Sequence, residues 1–591
     1  MPRFVVFVPL ALAGACGGPA HTGGPTWSGN VAAIVHASCT PCHRPGGPAP
    51  FTLRTWDDAR KRADQIAEVT QGRLMPPWLP THGNFVGDRR LQPAQIELLL
   101  AWTAAGAPRG DAGAEPPCPE FPSGWQLREP DLVLSLPQSV GVAAAGPDVV
   151  RNFVVPVDVA AVKFVEAVEI QPGNPAVHHA VLLVDPTGRS RRLDAQDAEP
   201  GFPGMVPGNA RPPDGQFVGW TPGKQVRPCA QGMAWRLSPG DDLVLQLHLS
   251  PTGTAAVVRP RLGLYFTATP PSAVLYPLLL KSEQIDLAPG EADHAVTDQF
   301  VIPVPVTVHS LYPHAHYLCR SMAATVTPPG GAPALLFRIQ RWDFDWQDDY
   351  TFREPVALPA GTRVEFEYRY DNSAGNPQNP SRPPVRVRYG QDSTDEMASL
   401  TLQVTTADVA ARLVLGEAGL RRDLQRAGYD GALHLQLATL LRDRQRYDEA
   451  LQEVARVRAR EPGNADALCE QGACLERAGR TGEAEQAYGE CLALDPAQNV
   501  ARVQLANILT RSGRTATAIP LYQEALARAP KQVAVRHNLA GAYAAVGQLQ
   551  LAEQQYREAV ALDATFFPSW LALGRVLAAG GRAAEARTAL Q

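Results

Sequence analysis

A 34-residue period in the last third of the chain restricts its fold more than any other feature. Alanine recurs at Ala450, Ala484, Ala518, Ala552 and Ala586, glycine at Gly479, Gly513, Gly547 and Gly581, and proline at Pro462, Pro496 and Pro530. A small residue at one fixed position lets two helices pack closely, and glycine and proline are typical of helix ends. The period therefore predicts a stack of helix-turn-helix units, each packed against its neighbours.

This pattern resembles the tetratricopeptide repeat, with four full units and a truncated fifth over residues 429–591 and no polar capping helix in the last unit. Residues 407–428 are expected to form a connecting helix. Because such solenoids present a concave helical surface, the resemblance implies a protein partner for this region. A role as a spacer is the alternative.

The central part of the chain, residues 127–406, has a pattern typical of β-sandwiches. Short β-branched or alternating segments are separated by turns such as P-G-N, S-P-G-D and P-T-G. The strand candidates are residues 153–157, 163–170, 180–184, 243–249, 261–266, 364–370 and 399–404. The length predicts two sandwiches, residues 127–268 and 269–406.

Residues 27–106 are predicted to form a small helical unit around the motif C-T-P-C-H. Helices are expected over 28–38, 56–70 and 93–104, the last with proline near its start and Gly106 just past its end. The thiols of Cys39 and Cys42 can form thioethers to haem vinyl groups, and His43 can ligate the iron. A C-x-x-C pair alone could be a redox pair or half a zinc site, but the adjoining histidine and the helix before it favour a c-type haem.

Met75 in L-M-P-P-W is the predicted sixth iron ligand, because a methionine sulfur raises the reduction potential, which suits an electron relay. Core packing is the alternative role for Met75, and His36 and His82 are rival ligands. The segments C-H-R-P-G, M-P-P-W and A-W-x-x-A-G-A-P resemble small cytochrome c domains fused to bacterial oxidoreductases. Residues 107–126 are expected to be a Pro/Gly-rich linker.

Residues 1–16 predict export, since one positive charge, a short apolar run and small residues are typical of a signal peptide. The stretch L-A-G-A-C-G-G resembles a bacterial lipobox with Cys16 as the lipidated residue, and simple cleavage is the alternative. A periplasmic protein, or one anchored by lipid at the cell envelope, is therefore expected. No integral membrane domain is predicted. With a net charge of −5 and no Lys/Arg-rich run, a nucleic-acid partner is not expected.

Six potential copper ligands lie in the central region: His178, His179, His248, His314, His316 and Met397. Imidazole suits copper in either redox state, and a thioether favours Cu(I). Adjacent strand residues point to opposite faces, so His178 and His179 can bind one ion only if the strand ends or bulges there. His314 and His316 share a face of an extended strand. Taken singly, a strand histidine is more often a hydrogen-bonded core residue, and zinc in the all-histidine set is a further alternative.

The order H-H, a strand-borne H, H-x-H and D-E-M resembles the copper type II, ascorbate-dependent monooxygenases, which include peptidylglycine α-hydroxylating monooxygenase and dopamine β-monooxygenase. The resemblance covers residues 127–406 and implies two jelly-roll sandwiches, each with one copper, facing each other across a solvent-filled cleft. It further implies that His178, His179 and His248 bind the electron-transfer copper. The set of His314, His316 and Met397 would bind the copper that activates O2, and substrate C–H would become C–OH.

Two departures from that family affect what can be expected. Cys319 stands where a small residue such as glycine is expected. A disulfide with Cys229 is favoured over a free thiol beside copper, while no pairing can be assigned to Cys118. No substrate-binding residue of the peptide or catecholamine enzymes can be matched, so the organic or peptide substrate stays open. His309 is expected to be a core histidine.

Together these features predict a multidomain chain: a small all-α cytochrome c domain, two all-β jelly-roll sandwiches and an all-α tetratricopeptide solenoid. The expected function is copper-dependent hydroxylation of a C–H bond with O2, with electrons from a donor arriving through the fused haem. The alternative is a non-catalytic copper and haem protein that transfers electrons or senses redox state, with the repeats as an interaction tail.

Overall fold

The computed structural model of the chain describes residues 24–121, 124–204, 210–230 and 232–590, and the predicted signal segment with Cys16 lies outside them. Two compact units are present. The first contains the described residues of 1–78 and 87–123, and the second contains those of 79–86 and 124–591. Within the described ranges, no helix combines the length and the hydrophobicity that crossing a membrane requires.

The first unit is helical. A π-helical turn, Trp27–Val31, leads into α1 (Ala32–Ser38), α2 (Trp56–Arg60), α3 (Ala63–Gln71) and α4 (Pro93–Ala104). The single helix expected over 56–70 is wrong, since α2 ends at Arg60 and α3 begins after a turn. The fully buried indoles of Trp27 and Trp102 lie 6.3 Å apart between ring centroids in the core.

Part of the expected linker packs on this helical unit. The indole of Trp102 donates to the carbonyl oxygen of Pro108 at 3.0 Å, and the indole of Trp27 donates to Glu115 at 2.7 Å. A 3-10 turn follows at Ala112–Ala114. The linker is therefore ordered against the helices over its first part.

The second unit begins with β-structure. Its first strands and one helix are β1 (Pro80–His82), β2 (Leu132–Ser135), β3 (Val140–Val142), β4 (Val149–Pro156), β5 (Lys163–Gln171), β6 (Val177–Asp185), α5 (Arg189–Gln196), β7 (Phe202–Pro203), β8 (Val218–Trp220), β9 (Trp235–Leu237), β10 (Asp242–Leu249), β11 (Ala256–Val258) and β12 (Arg261–Thr267). One sheet has the order β7-β4-β10-β6-β8, a second has β2-β12-β5-β9, and β3 pairs with β11. Side chains of both larger sheets, among them Phe153, Leu245 and Leu264, share one core, so the sheets form a sandwich.

The remaining strands form a second pair of sheets. They are β13 (Tyr276–Ser282), β14 (Asp286–Leu287), β15 (His294–Val301), β16 (Val306–His314), β17 (Cys319–Thr327), β18 (Ala334–Ile339), β19 (Tyr350–Leu358), β20 (Arg363–Tyr370), β21 (Val387–Arg388) and β22 (Ala398–Thr406). The orders are β1-β18-β17-β20-β15 and β13-β22-β16-β19, and β14 pairs with β21. The hydroxyls of Tyr368 and Tyr370 on β20 donate to the carbonyl oxygens of Ser399 (2.8 Å) and Met397 (2.6 Å) on the opposite side, so these sheets also face each other.

Residues 79–86 were expected in the helical unit, but they group with the second unit. The reason is strand pairing: β1 lies antiparallel to β18, and the amide of Val86 donates to the carbonyl oxygen of Thr351 at 2.8 Å. The ring of Phe85 packs 4.8 Å from that of Phe352. These backbone and ring contacts hold the segment to the second sandwich.

Helices make up the rest of the chain: α6 (Val409–Ala427), α7 (Gly431–Asp443), α8 (Tyr447–Arg460), α9 (Ala465–Arg477), α10 (Thr481–Leu494), α11 (Asn499–Arg511), α12 (Thr515–Arg528), α13 (Val533–Ala545), α14 (Leu549–Leu562), α15 (Phe567–Ala579) and α16 (Ala583–Leu590). From α7 onward they form five antiparallel pairs, and the periodic alanines, such as Ala450 and Ala518, are buried. The α6 helix packs on the second sandwich, where the buried carboxylate of Asp298 pairs with Arg426 and, at 3.8 Å, with Arg422.

Candidate metal centres

A β-bulge brings the adjacent histidines of β6 together. His248 on β10 pairs with His179, but the next residue, Leu249, pairs with Val177, so His178 is the extra residue of a bulge. A bulge interrupts the alternation of side chains, and both rings can then lie on the side of His248. The bulge that His178 and His179 need in order to bind one ion is therefore present.

Three Nδ1 atoms converge at this bulge. The Nδ1 of His179 lies 3.3 Å from that of His178 and 3.2 Å from that of His248. Two nitrogen ligands of a tetrahedral metal ion, each at roughly 2.0–2.1 Å, are about 3.3 Å apart. Within the described ranges, no other group of three His, Cys, Asp or Glu side chains has metal-binding spacing. The donor set and its spacing therefore fit a metal ion, and copper is among the ions that imidazole suits.

Carboxylates accept hydrogen bonds from the Nε2 atoms of two of these rings. The Nε2 of His248 donates to Asp148 at 2.8 Å, and the Nε2 of His178 donates to Asp345 at 3.3 Å. Such bonds fix the tautomer in which Nδ1 carries the free lone pair. Burial, helped by the neighbouring imidazoles, lowers the pKa of His179 well below its usual value, so this ring is neutral, the form that binds metal.

The second candidate set lies where β16 ends. His314 is the last residue of that strand and His316 follows it, so the two do not share one extended strand as expected. Their ring centroids are nevertheless 5.2 Å apart. His314 pairs with Ser399 on β22, and the same register continued past the strand end sets His316 opposite Met397. Strand pairing therefore brings H-x-H and D-E-M to one edge of the sheet.

In His314 and His316, Nε2 is the nitrogen that is available to bind a metal ion. The Nδ1 of His314 donates to the side-chain oxygen of Gln347 at 2.8 Å, and the Nδ1 of His316 donates to the carbonyl oxygen of Asp395 at 3.0 Å. Among the described residues, the buried Nε2 of His314 has no hydrogen-bond partner. Such a group costs about 1–3 kcal/mol unless it is satisfied. Burial lowers both pKa values, that of His316 to about 3, so both rings are neutral and suited to a metal ion.

Glu396 joins the two motifs of the second set, and sequence reasoning missed it. One carboxylate oxygen of this fully buried residue accepts from the amides of His316 (2.9 Å) and Met397 (3.1 Å), and the other accepts from the amide of Leu318 (2.5 Å). Burial raises the pKa of Glu396 to about 8, and the amide donors oppose that rise. An acidic residue beside a candidate ligand in D-E-M was the available signal.

An aromatic ring packs against histidines of both sets. Phe344 begins a 3-10 turn, Phe344–Trp346, and is 2% exposed. Its ring centroid lies 5.4 Å from those of His178 and His316 and 6.3 Å from that of His248. Phe344 therefore packs against histidines of both sets, and the solvent-filled cleft stays a prediction.

The expected disulfide between Cys229 and Cys319 is also wrong, since both are free thiols. Cys319 is buried at the start of β17, and its Sγ lies 3.7 Å from the carbonyl oxygen of Ser321. The Sγ of Cys229 lies 3.1 Å from the amide oxygen of Gln216. Cys118 is a free thiol as well. The Nε2 of His309 forms a hydrogen bond with the hydroxyl oxygen of Thr405 at 2.8 Å.

The C-T-P-C-H motif forms one tight turn after α1. The amides of Cys42 (3.1 Å) and His43 (2.9 Å) both donate to the carbonyl oxygen of Cys39. The Nδ1 of His43 donates to the carbonyl oxygen of Phe51 at 3.2 Å, which leaves Nε2 free for iron. Burial raises the pKa of the Cys39 thiol to about 12, with a further contribution from Cys42. Two thiols and one oriented imidazole on a single turn fit a covalently bound haem.

The rival sixth ligands have other partners. The Nε2 of His36 donates to the carbonyl oxygen of Arg54 at 3.0 Å. His82 belongs to the second unit, where its Nε2 donates to the carbonyl oxygen of Leu335 at 2.9 Å. Met75 is half-buried in the segment after α3. Both histidines therefore hydrogen-bond to backbone carbonyl oxygens, and Met75 stays the predicted sixth ligand.

Comparisons with known proteins identify only the repeat region. Two family models of the tetratricopeptide repeat match residues 435–499 and 498–565. No curated protein matches the chain. Similar solved structures include MamA from Desulfovibrio magneticus RS-1, at 21% identity over 27% of this chain and 90% of that one, with a TM-score of 0.26. YrrB, described as a TPR protein with an unusual peptide-binding site, is 16% identical over 29% of this chain and 89% of its own, with a TM-score of 0.27. The two family models thus show tetratricopeptide repeats over residues 435–565.

Proposed function

We propose that this chain is a copper-dependent monooxygenase that hydroxylates a C–H bond with O2, with electrons delivered through its c-type haem domain. The observation that carries the proposal is the pairing of two histidine sets, one from each sandwich, around Phe344. Hydroxylation consumes one O2, two electrons and two protons, and it yields the alcohol and water. A reaction of this kind needs one-electron redox centres and an external donor.

Copper at the two sets would supply the one-electron redox chemistry that O2 requires. His178, His179 and His248 would hold one ion through Nδ1, since their outer nitrogens face carboxylates or lie away from the convergence point. The orphaned Nε2 of His314 supports the second assignment, in which His314, His316 and Met397 bind the other ion. The thioether of Met397 distinguishes this set from a zinc site, because zinc takes nitrogen, oxygen and thiolate ligands.

Haem bound at Cys39, Cys42 and His43 would supply one-electron carriage from the donor. The donated hydrogen bond from His43 to the carbonyl oxygen of Phe51 orients the ring and makes it a stronger ligand. We further propose Met75 as the sixth ligand, export of the chain, and a jelly-roll topology for both sandwiches. Attachment to the envelope through a lipidated Cys16 is part of the same proposal.

The repeats have an interaction role. Stacked helix pairs of this family offer an extended surface on which a protein segment binds. In a chain that needs an electron donor and a substrate, we propose that this surface recruits the protein that supplies one of them.

Isotope incorporation tests the proposal directly. The copper-loaded, haem-containing protein is reduced and supplied with 18O2 and a panel of peptides and catecholamines, and the products are analysed by mass spectrometry. We expect one 18O atom in a hydroxylated product. Replacing Met397→Leu should lower the rate by at least about tenfold, because the thioether is lost at nearly constant volume.

Met322→Leu is the matched control, since it removes a buried thioether from β17 of the same sandwich. It should leave the rate unchanged. If no probe acquires 18O although copper and haem are bound, the chain is instead an electron-transfer or redox-sensing protein. If Met397→Leu and Met322→Leu behave alike, the second copper set is assigned wrongly.

A further inference from the structure

One segment of the second sandwich, residues 342–349, contacts ligands of both histidine sets, and we call it the strap. At its start, the indole of Trp342 donates to the carbonyl oxygen of His316 at 3.1 Å. In its middle, Asp345 accepts from His178 at 3.3 Å. Near its end, Gln347 accepts from His314 at 2.8 Å. Three bonds to three candidate ligands within one short segment make the strap the structural link between the two sets.

The far end of the strap is tied to the first sandwich. The amino group of Lys224, in the region after β8, pairs with Asp348 at 3.7 Å and more closely with Asp349. All three side chains are at least three-quarters buried. A partly buried ion pair is screened less by salt than an exposed one, so this anchor resists the separation of the sandwiches.

Phe344 is the central contact of the strap. The turn that carries it is capped by Asp343, whose side chain accepts from the amide of Asp345. Because its ring lies 5.4 Å from both His178 and His316, those two imidazoles are separated by no more than twice that distance. The ring packs against histidines of both sets, which limits the rotation of those imidazoles.

Gln347 acts on one set alone. It is 1% exposed, and its side-chain oxygen accepts from both the His314 Nδ1 (2.8 Å) and the hydroxyl of Tyr312 (3.0 Å). With Nδ1 committed as a donor, His314 can present only Nε2 as a ligand. Loss of the acceptor would leave a buried N–H unpaired and free the ring to change tautomer.

We propose that the strap is a positioning element that holds the two histidine sets as one preorganised unit, with Phe344 supporting both sets and Gln347 orienting His314. This rests on the proposed function, in that both sets bind copper. Strap residues are positioning residues, since they act through the ligands and not on the substrate. Partners of this kind change metal affinity by about 10- to 100-fold when they are removed.

The test measures copper affinity one set at a time. In the haem-containing full chain, His314→Ala with Met397→Ala leaves the first set, and His179→Ala with His248→Ala leaves the second. Cu(I) affinity is measured without oxygen by competition with a chromogenic chelator. A chain that lacks both sets gives the contribution of free thiols, which is subtracted.

We expect Phe344→Ala to weaken Cu(I) binding by about tenfold or more in both backgrounds. Gln347→Leu should weaken it by about 10- to 100-fold only where the second set remains. Phe337→Ala is the matched control, because it removes a fully buried phenylalanine from β18 and should change neither affinity by more than about threefold. If Phe344→Ala does not fold, Phe344→Leu is used and should show a smaller effect in the same direction.

The outcomes separate the two proposals. Unchanged affinities in the Phe344 and Gln347 variants, with copper bound in both backgrounds, would overturn the strap alone. Equal losses in Phe344→Ala and Phe337→Ala would also overturn it, since general destabilisation would then explain the result. Absence of copper from both backgrounds with an intact strap would overturn the proposed function, and the strap with it.

Discussion

Replacing Glu396 with alanine should release the segment that carries His316. The substitution removes the acceptor of three backbone amides, those of His316, Leu318 and Met397. A buried donor without a partner costs about 1–3 kcal/mol, so the three together set a range of roughly 3–9 kcal/mol. The lower end applies, because removing a buried carboxylate also removes its desolvation cost. A decrease of about 3 kcal/mol in the free energy of local opening raises the population of the open state roughly 100-fold.

Amide hydrogen exchange measures this local opening without requiring the whole chain to unfold in one step. We expect residues 314–319 to exchange roughly 100-fold faster in Glu396→Ala. In Glu396→Gln the change should be smaller, since the amide oxygen still accepts two of the bonds. Glu169→Ala is the control: it removes a buried carboxylate of the first sandwich that accepts from the amide of Gln126 at 2.8 Å. If Glu396→Ala and Glu169→Ala leave the same exchange rates in 314–319, the role given to Glu396 is wrong.

Three further predictions concern the haem, the metal and the connecting helix α6. Cys39→Ser with Cys42→Ser should abolish covalent haem, seen as loss of haem staining on a denaturing gel, whereas retained staining would refute the motif's role. Removal of copper by chelation should lower the melting temperature of the β-region, because an ion at about 1,000 times its Kd stabilises the folded state by roughly 4 kcal/mol; an unchanged melting temperature would argue against tight sites. Asp298→Ala should leave Arg426 without its buried partner and Arg422 paired with Asp423 alone, and it should destabilise the docking of α6 by about 1–3 kcal/mol. Limited proteolysis should then cut near residues 407–428 sooner than in the wild type, and equal rates would contradict the contact.

Local patterns predicted much of the structure. The helix expected over 93–104 is α4, because proline at its start and Gly106 after its end define it locally. The strand candidates fall within β4, β5, β6, β10, β12, β20 and β22, with one exception of a single residue: 153–157 ends one residue after β4. The helical repeat is confirmed by the family matches over 435–565. In each case the signal lies within a few residues of the element that it describes.

Contacts between distant segments were not predictable in this way. Nothing near Phe344 in the sequence indicates that its ring contacts His178, which lies in the other sandwich. The pairing of β1 with β18 joins segments about 250 residues apart, and a three-residue strand is too short to leave a pattern. Single cysteines carry no record of their neighbours, so the expected pairing of Cys229 with Cys319 had no geometric basis.

The arrangement of the candidate metal ligands was predictable where it depends on local sequence and unpredictable where it depends on distant segments. The sequence alone indicated that His178 and His179 need a bulge, since alternation is a local rule, and the bulge is present. The convergence of His179 with His248 depends on the register of β6 against β10, which the sequence does not reveal. The roles of Gln347 and Glu396 depend on the orientation of buried side chains and emerge only from the structure.

Metal analysis of the haem-containing chain tests the central claim most directly. The purified protein, loaded with Cu(I) and dialysed, is assayed for metal content and examined by X-ray absorption at the copper edge. We predict one copper ion for each histidine set, bound by imidazole nitrogen with one sulfur ligand that disappears in Met397→Leu. Fewer than two copper ions per chain, or a copper spectrum without a sulfur ligand in the wild type, would contradict this prediction.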